Sequence, residues 1–271
     1  MNDHDVARML AVELGSMLSS MRKHAKSLDL ENSANFIAES QAILGKEGDL
    51  AGHNFLIESL ERLRPGDAIL SEEENADTLE ARTLARLASD RVWIVDPLDG
   101  TSEYSTGRED YAVHVALWER QSAQTSGIVA ACVSVPERGE IWTMTDQREE
   151  VDHDSRPIRI MVSRSRPPHH IEGLIHNLDQ AFPHRGVELI PMGSVGAKVG
   201  WMLAGHADMY INTGGFFEWD LAAPLGVAVH RGFVVCDVQG NEIALNQEHT
   251  KLKGAIVCRP EFESIVLKSL A

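Results

Sequence analysis

Apolar residues recur at helical spacing from the start of the chain. Val6, Met9, Leu10, Leu14, Met17, Leu18 and Met21 fall on one face and predict a long amphipathic first helix. Methionines in such a stripe read as adaptable core filling, not as a cofactor box. Residues 31–48 show no clean period, and 44–48 read as a loop. Residues 50–63 predict a second helix, stopped by Pro65-Gly66. A short apolar segment, Ile69-Leu70-Ser71, then runs into Glu72, Glu73 and Glu74.

From residue 92 the period changes. Val92 to Val95 is a β-branched run typical of a buried strand. Tyr111, Val113, Val115 and Leu117 alternate with Ala112, His114, Ala116 and Trp118, a strand apolar on both faces. Residues 127–135 and 141–144, joined by Pro136-Glu137-Arg138-Gly139, predict a hairpin. Residues 146–157 are charged and read as a solvated connection, Asp152-His153-Asp154 included, because adjacent side chains rarely face one ligand. His169-His170, after Pro167-Pro168, reads as a surface turn. Beyond residue 158, strand and helix patterns alternate over 158–163, 171–178, 187–190, 197–203, 208–211, 221–229 and 233–238. The expected organisation is therefore an α+β half over 1–155 and an α/β half over 156–271.

Candidate chemistry concentrates in Asp96-Pro97-Leu98-Asp99-Gly100-Thr101. The strand delivers two carboxylates to a turn in which Pro97 fixes φ and Gly100 permits close backbone approach. Thr101 and Ser102 follow where a helix can start, a natural seat for an anion. Taken alone, Asp96 and Asp99 also fit a turn and a helix cap. Carboxylates elsewhere favour a hard-cation site: Glu72 ends one short strand, and Phe217-Glu218-Trp219-Asp220 precedes an Ala-rich helix with Pro224 expected in its first turn.

Glu72-Glu73, then Asp96-Pro97-Leu98-Asp99-Gly100-Thr101, then Trp219-Asp220-Leu221-Ala222-Ala223-Pro224 resemble, in order, the motifs of the inositol monophosphatase superfamily. Asp49 resembles its upstream acid. The resemblance implies a layered α-β-α-β-α sandwich, shared with fructose-1,6-bisphosphatases, and a Mg²⁺-dependent, Li⁺-sensitive phosphatase. It implies that two or three Mg²⁺ per site are held by Glu72, Asp96, the Leu98 carbonyl, Asp99 and Asp220. Thr101 and Asp49 would position the attacking water, and Gly100, Thr101 and Ser102 would meet phosphate oxygens. Most metal ligands would come from the first half, with Asp220 and the substrate loops from the second. Within the superfamily, Ser102-Glu103-Tyr104, Ser71 before the Glu pair and Val162-Ser163-Arg164-Ser165 are similar to the CysQ-type 3′(2′),5′-bisphosphate nucleotidases. Thr213 stands where inositol enzymes carry a sugar-binding Glu. Gly193-Ser194-Val195-Gly196-Ala197-Lys198 resembles the subfamily's small-residue loop ending in Lys, and makes Ser194 and Lys198 substrate-site candidates.

The implied substrate is adenosine 3′,5′-bisphosphate, a by-product of sulfate assimilation, losing its 3′-phosphate. Lys198, Arg164 and Arg108 are candidates for its second phosphate, against a plain reading as structural surface cations. The alternatives are an inositol or other sugar or polyol monophosphatase and, more remotely, a non-catalytic cation-binding regulator.

Composition narrows the partners. A net charge of −16 over 271 residues opposes nucleic-acid or membrane-surface binding, and requires local cations to draw in a phosphate. Cys132, Cys236 and Cys258 are odd in number, lack metal-ligand spacing and read as reduced buried thiols. The acidic N-terminus lacks a signal-type basic region, so a cytoplasmic location is expected, and a homodimer is compatible with the chain.

Overall fold

Period-2 alternation along the strands sorts side chains into separate cores. The computed structural model describes residues 1–28, 34–73, 79–120, 127–147, 156–168 and 171–270. Strands β1 (Ala68–Ser71), β2 (Arg91–Asp99), β3 (Ala112–Glu119), β4 (Ile128–Val135) and β5 (Glu140–Thr143) form one sheet in chain order. Only the β1–β2 pairing in it is parallel. Trp93, Val95, Val113, Val115 and Leu117 point to one face, against helices α1 (Asp3–Leu28) and α2 (Ala34–Leu63). The intervening Val92, Ile94, Ala112 and Ala116 point to the other.

That second face meets a central helical layer, α6 (Val195–Leu203) and α7 (Glu218–His230). The same helices cover Met161, Tyr210 and Val257 of a second sheet. It is ordered β10 (Val234–Cys236), β12 (Ala255–Cys258), β8 (Met209–Asn212), β6 (Ile158–Ser163), β7 (Val187–Met192). Its outer side chains, among them Ile158, Ile160, Met209 and Ile256, pack on α5 (Ile171–Ala181) and α8 (Glu263–Leu270). In a small ribbon, β9 (Phe216–Phe217), which precedes α7, pairs with β11 (Lys251–Leu252). Helix α3 (Leu79–Ala88) lies beside β1, and the one-turn α4 (Thr101–Ser105) follows β2. The layers run α-β-α-β-α, the arrangement the sequence motifs imply. The three cysteines are buried and free. No helix among the described residues is long and apolar enough to cross a membrane.

Two local expectations are corrected. Residues 44–48 are not a loop, because α2 runs through them. Gly45 and Gly48 weaken the helical pattern by about 1 kcal/mol each. Their missing side chains let α4 dock: a Cβ on Gly45 would stand 3.0 Å from Thr101 Cγ2, and one on Gly48 2.9 Å from Tyr104 Cε1. Pro224 lies inside α7, not in its first turn, because the helix already begins at Glu218. Lacking an N–H, Pro224 cannot bond the Asp220 carbonyl one turn back. His169-His170, Glu74 and Asp152-His153-Asp154 lie outside the described residues.

The outer layer has a hydrophobic cluster of its own. Phe262 is fully buried and meets Phe182 edge-on at 5.4 Å between centroids. Phe262→Ala should cost about 3–5 kcal/mol and lower the melting temperature by roughly 6–20 °C. A melting temperature unchanged by the substitution would contradict the layer assignment.

Candidate active site

The site forms where β2 stops behaving as a strand. Pairing with β3 is regular to Asp96 and resumes at Asp99, with an irregularity between them. Asp96 is fully buried; its Oδ1 accepts the Leu98 N–H at 3.0 Å. Its Oδ2 is buried with no hydrogen-bond partner. Asp99 is also buried; its Oδ2 accepts from Ser194 Oγ and, at 2.9 Å, from the Gly196 N–H. Asp220 enters from the first turn of α7, where its Oδ2 accepts the Phe217 N–H at 2.5 Å. One oxygen from each of Asp96, Asp99 and Asp220 lies within 4.8 Å of the others.

Such crowding shows in the proton affinities. Burial, then repulsion by Glu72, Asp99 and Asp220, drives Asp96 well above the usual carboxylate range. Asp220 is pushed to about 6, by burial first and then by Asp99. For Asp99 burial acts upward too, but His114, Lys198 and the Ser194 hydroxyl prevail and hold it low. Glu72 stands in the turn after β1, outside the tight trio. Its carboxyl still feels the cluster: burial, then repulsion by Asp220, Glu73, Asp49 and Asp99, raises it to about 8. A buried acceptor without a donor and mutually repelling carboxylates are what a site for a hard divalent cation requires, and an all-oxygen donor set suits Mg²⁺.

Beside the cluster, Thr101 Oγ1 donates to Asp49 Oδ1 at 3.0 Å and stands 3.3 Å from the Leu98 carbonyl. Asp49 is raised to about 6, by burial first and Glu73 after it. Gly100 precedes α4 at φ 96°, a left-handed conformation. A Cβ there would also stand 3.3 Å from the Asp110 carbonyl. Ser102 is exposed on the first turn of α4.

Of the four remaining candidates, three are engaged within the protein. Ser194 caps α6, accepting the Ala197 N–H at 3.0 Å, while it donates to Asp99. Lys198 is 1% exposed; its Nζ donates to the Gly193 carbonyl and lies 5.0 Å from the centre of the Tyr210 ring. Burial lowers its pKa to about 8, against the pull of Asp99. Arg164 spends its two terminal nitrogens on Glu103, at 2.7 Å, and Asp110, at 2.6 Å. Arg108 is exposed.

Two residues the motif reading missed also belong here. His114, fully buried, places Nε2 3.2 Å from Asp99 Oδ2 and Nδ1 3.2 Å from the Trp219 carbonyl. The available signal was a histidine in a strand apolar on both faces. Arg166 is exposed, donates to the Gly215 carbonyl and is near enough to Asp220 to oppose the rise in its pKa.

Raised carboxylates stabilise the folded chain below their unfolded pKa values, near 4, and that stability is lost as pH climbs through the folded values. Carboxyls held low, such as Asp110 and Glu137, act oppositely but are fully ionised above about pH 5. In EDTA the melting temperature should therefore fall between about pH 5.5 and 8.5, and Mg²⁺ should restore it. Asp96→Asn should melt no lower than wild type in EDTA at about pH 8 and should lose most of the Mg²⁺ effect. A flat wild-type profile would contradict this electrostatic picture.

A model of the inositol monophosphatase family matches residues 4–268. The chain is 40% identical over 235 residues to the 3′-phosphoadenosine 5′-phosphate phosphatase of Mycobacterium tuberculosis (strain CDC 1551 / Oshkosh), covering 84% of this chain and 82% of that protein. It is 30% identical over 202 residues to the 3′(2′),5′-bisphosphate nucleotidase CysQ of Salmonella typhimurium, covering 72% of this chain and 76% of that protein. Among solved structures, CysQ from Bacteroides thetaiotaomicron, described as a bacterial member of the inositol monophosphatase family, shares the fold. Its TM-score is 0.69 at 24% identity, over 94% of this chain and 96% of that one. The suhB protein of Bartonella henselae gives 0.68 at 21% identity, over 97% and 95%. Sequence, layer order and likeness to these proteins all agree: the chain belongs to the inositol monophosphatase family.

Proposed function

We propose that the chain is a Mg²⁺-dependent phosphomonoesterase that removes the 3′-phosphate of adenosine 3′,5′-bisphosphate, giving AMP and phosphate. The observation that carries the chemistry is the buried Asp96-Asp99-Asp220 cluster, with its orphaned Asp96 oxygen, beside the Thr101–Asp49 pair. The substrate choice is supported by the two relatives whose names specify a nucleotide bisphosphate or its 3′-phosphoadenosine form. It is supported also by Thr213, which is exposed and offers no carboxylate to sugar hydroxyls.

Glu72, Asp96, Asp99, Asp220 and the Leu98 carbonyl would hold two or three Mg²⁺. When bound, Mg²⁺ lowers the pKa of a coordinated water and neutralises charge on the leaving oxygen. The chain supplies the rest. Thr101 donates to Asp49, so the hydroxyl's lone pairs are left to accept a proton from the attacking water. Asp49, raised to about 6, is a stronger base than an ordinary aspartate and still ionised at neutral pH. N–H groups of Gly100, Thr101 and Ser102 receive phosphate oxygens. Asp99, fixed by Ser194 and Gly196, keeps its orientation as charge develops. Arg166, exposed at the edge of the cluster, is the cation proposed to meet the second phosphate, since Lys198 is buried and Arg164 is paired. Three buried reduced thiols are in keeping with a cytoplasmic location.

A substrate panel with Mg²⁺, read as released phosphate, tests this function. Adenosine 3′,5′-bisphosphate should exceed inositol 1-phosphate by roughly a hundredfold or more in kcat/KM, about 2.7 kcal/mol of transition-state discrimination. Arg166→Ala should cut that value by roughly tenfold and leave a nucleoside monophosphate nearly unaffected. Asp96→Asn should fall below about a tenth of the wild-type rate, and Li⁺, similar to Mg²⁺ in size with half its charge, should inhibit. Preference for inositol 1-phosphate would overturn the substrate assignment, and an active Asp96→Asn would overturn the site.

A further inference from the structure

Glu103 and Arg164 stand 61 positions apart in the chain and prove to be each other's partners. Arg164 follows the end of β6 in the second sheet; Glu103 is on α4, two residues after Thr101. Arg164 Nη1 donates to Glu103 Oε1 at 2.7 Å, and Nη2 donates to Asp110 Oδ2 at 2.6 Å. Asp110 passes the link on: its Oδ2 also accepts the Gly193 N–H at 2.8 Å, and its carbonyl lies 3.3 Å from the Ser194 nitrogen. The Arg164 N–H donates to the Met192 carbonyl at 3.1 Å. The 193–196 segment thus touches the same guanidinium through both its neighbours. It is also the segment that holds Asp99, through Ser194 Oγ and the Gly196 N–H. The backbone of residue 193 presses so close to Glu103 that a Cβ there would fall 2.2 Å from Glu103 Cδ. Without the guanidinium, two carboxylates would face each other across that segment.

We propose that Arg164 is a positioning residue for the cation site: it clasps α4 and Asp110 to the 193–196 segment, and through that segment fixes Asp99 in the orientation a divalent cation needs. Arg suits this role because its planar fork serves two carboxylates at once, which a Lys point charge cannot do. Partners that orient a ligand typically change metal affinity by 10–100-fold when removed. The clasp rests on the divalent-cation reading given above.

The test uses the full chain and five proteins: wild type, Arg164→Met, Arg164→Lys, Glu103→Gln and the double variant Arg164→Met with Glu103→Gln. Mn²⁺ binding is measured by calorimetry without substrate. The Mg²⁺ concentration for half-maximal activity, the KM at saturating Mg²⁺ and the melting temperature in EDTA are measured beside it. Arg164→Met should weaken Mn²⁺ binding and raise the Mg²⁺ requirement by roughly 10–100-fold. Arg164→Lys should recover only part of that loss. KM at saturating Mg²⁺ should stay within about twofold, and the double variant Arg164→Met with Glu103→Gln should be little worse than Arg164→Met alone, because both break one clasp. Unchanged Mn²⁺ binding with a raised KM for the bisphosphate makes Arg164 a substrate ligand and overturns the proposal. Unchanged values throughout also overturn it. So does weakened Mn²⁺ binding accompanied by a large fall of the EDTA melting temperature, which marks a merely structural role. A wild type that takes up no divalent cation overturns the cation reading, and the clasp with it.

Discussion

Like charges that must share a small buried volume are the constraint from which the rest of the structure follows. Two ionised carboxylates 4.8 Å apart repel by about 3–4 kcal/mol at an effective dielectric near 20, and the cluster holds three within that distance, with Glu72 nearby. In the free protein the conflict is eased by protonation: Asp96 and Glu72 keep their protons well above the usual range. Asp99 escapes because His114, Ser194, Gly196 and Lys198 surround it with positive ends of dipoles and one ammonium. The site is therefore asymmetric: Asp99 is held low, while Asp96, Asp220 and Glu72 are raised. On the proposed function, a divalent ion would replace those protons and convert repulsion into binding free energy.

The layers explain how so much charge is held in place. Each acid sits on an element whose other residues are packed. Asp96 and Asp99 end a strand buried on both faces, Asp220 caps a helix held between two sheets, and Asp49 rides on a helix that α4 approaches through Gly45 and Gly48. The net charge of −16 would repel an anionic substrate at long range. Near the site, cations are placed in distinct ways: Lys198 inside, Arg164 within a carboxylate pair and Arg166 at the surface. Their accessibility, not their number, decides which can meet a phosphate.

Much of this was legible in the chain because it is local. The acids lie in short motifs, and the β-branched run Val92 to Val95 and the alternating residues 111–118 already predict two buried strands of the first sheet. Helix boundaries were less legible where tertiary contacts override local preference. The glycines at 45 and 48 read as loop, but they serve helix docking, and Pro224 read as a first-turn residue because nothing in the sequence announces that Asp220 caps the Phe217 N–H. Side-chain partnership across the chain was not legible at all. Lys198 and Arg164 were chosen as phosphate ligands by charge and motif, and only three-dimensional packing shows that one is covered by Tyr210 and the other held by Glu103 and Asp110. His114 gave a weak signal, a polar residue in an apolar strand, whose meaning depends on the facing Asp99.

The central claim is that Asp96, Asp99 and Asp220 form one cation-binding centre. Anomalous diffraction from crystals grown with Mn²⁺ tests it most directly. The account predicts a strong peak between these three carboxylates, with the otherwise unpartnered Asp96 Oδ2 among its ligands. Crystals that show Mn²⁺ only elsewhere, or none at saturating concentration, would contradict it.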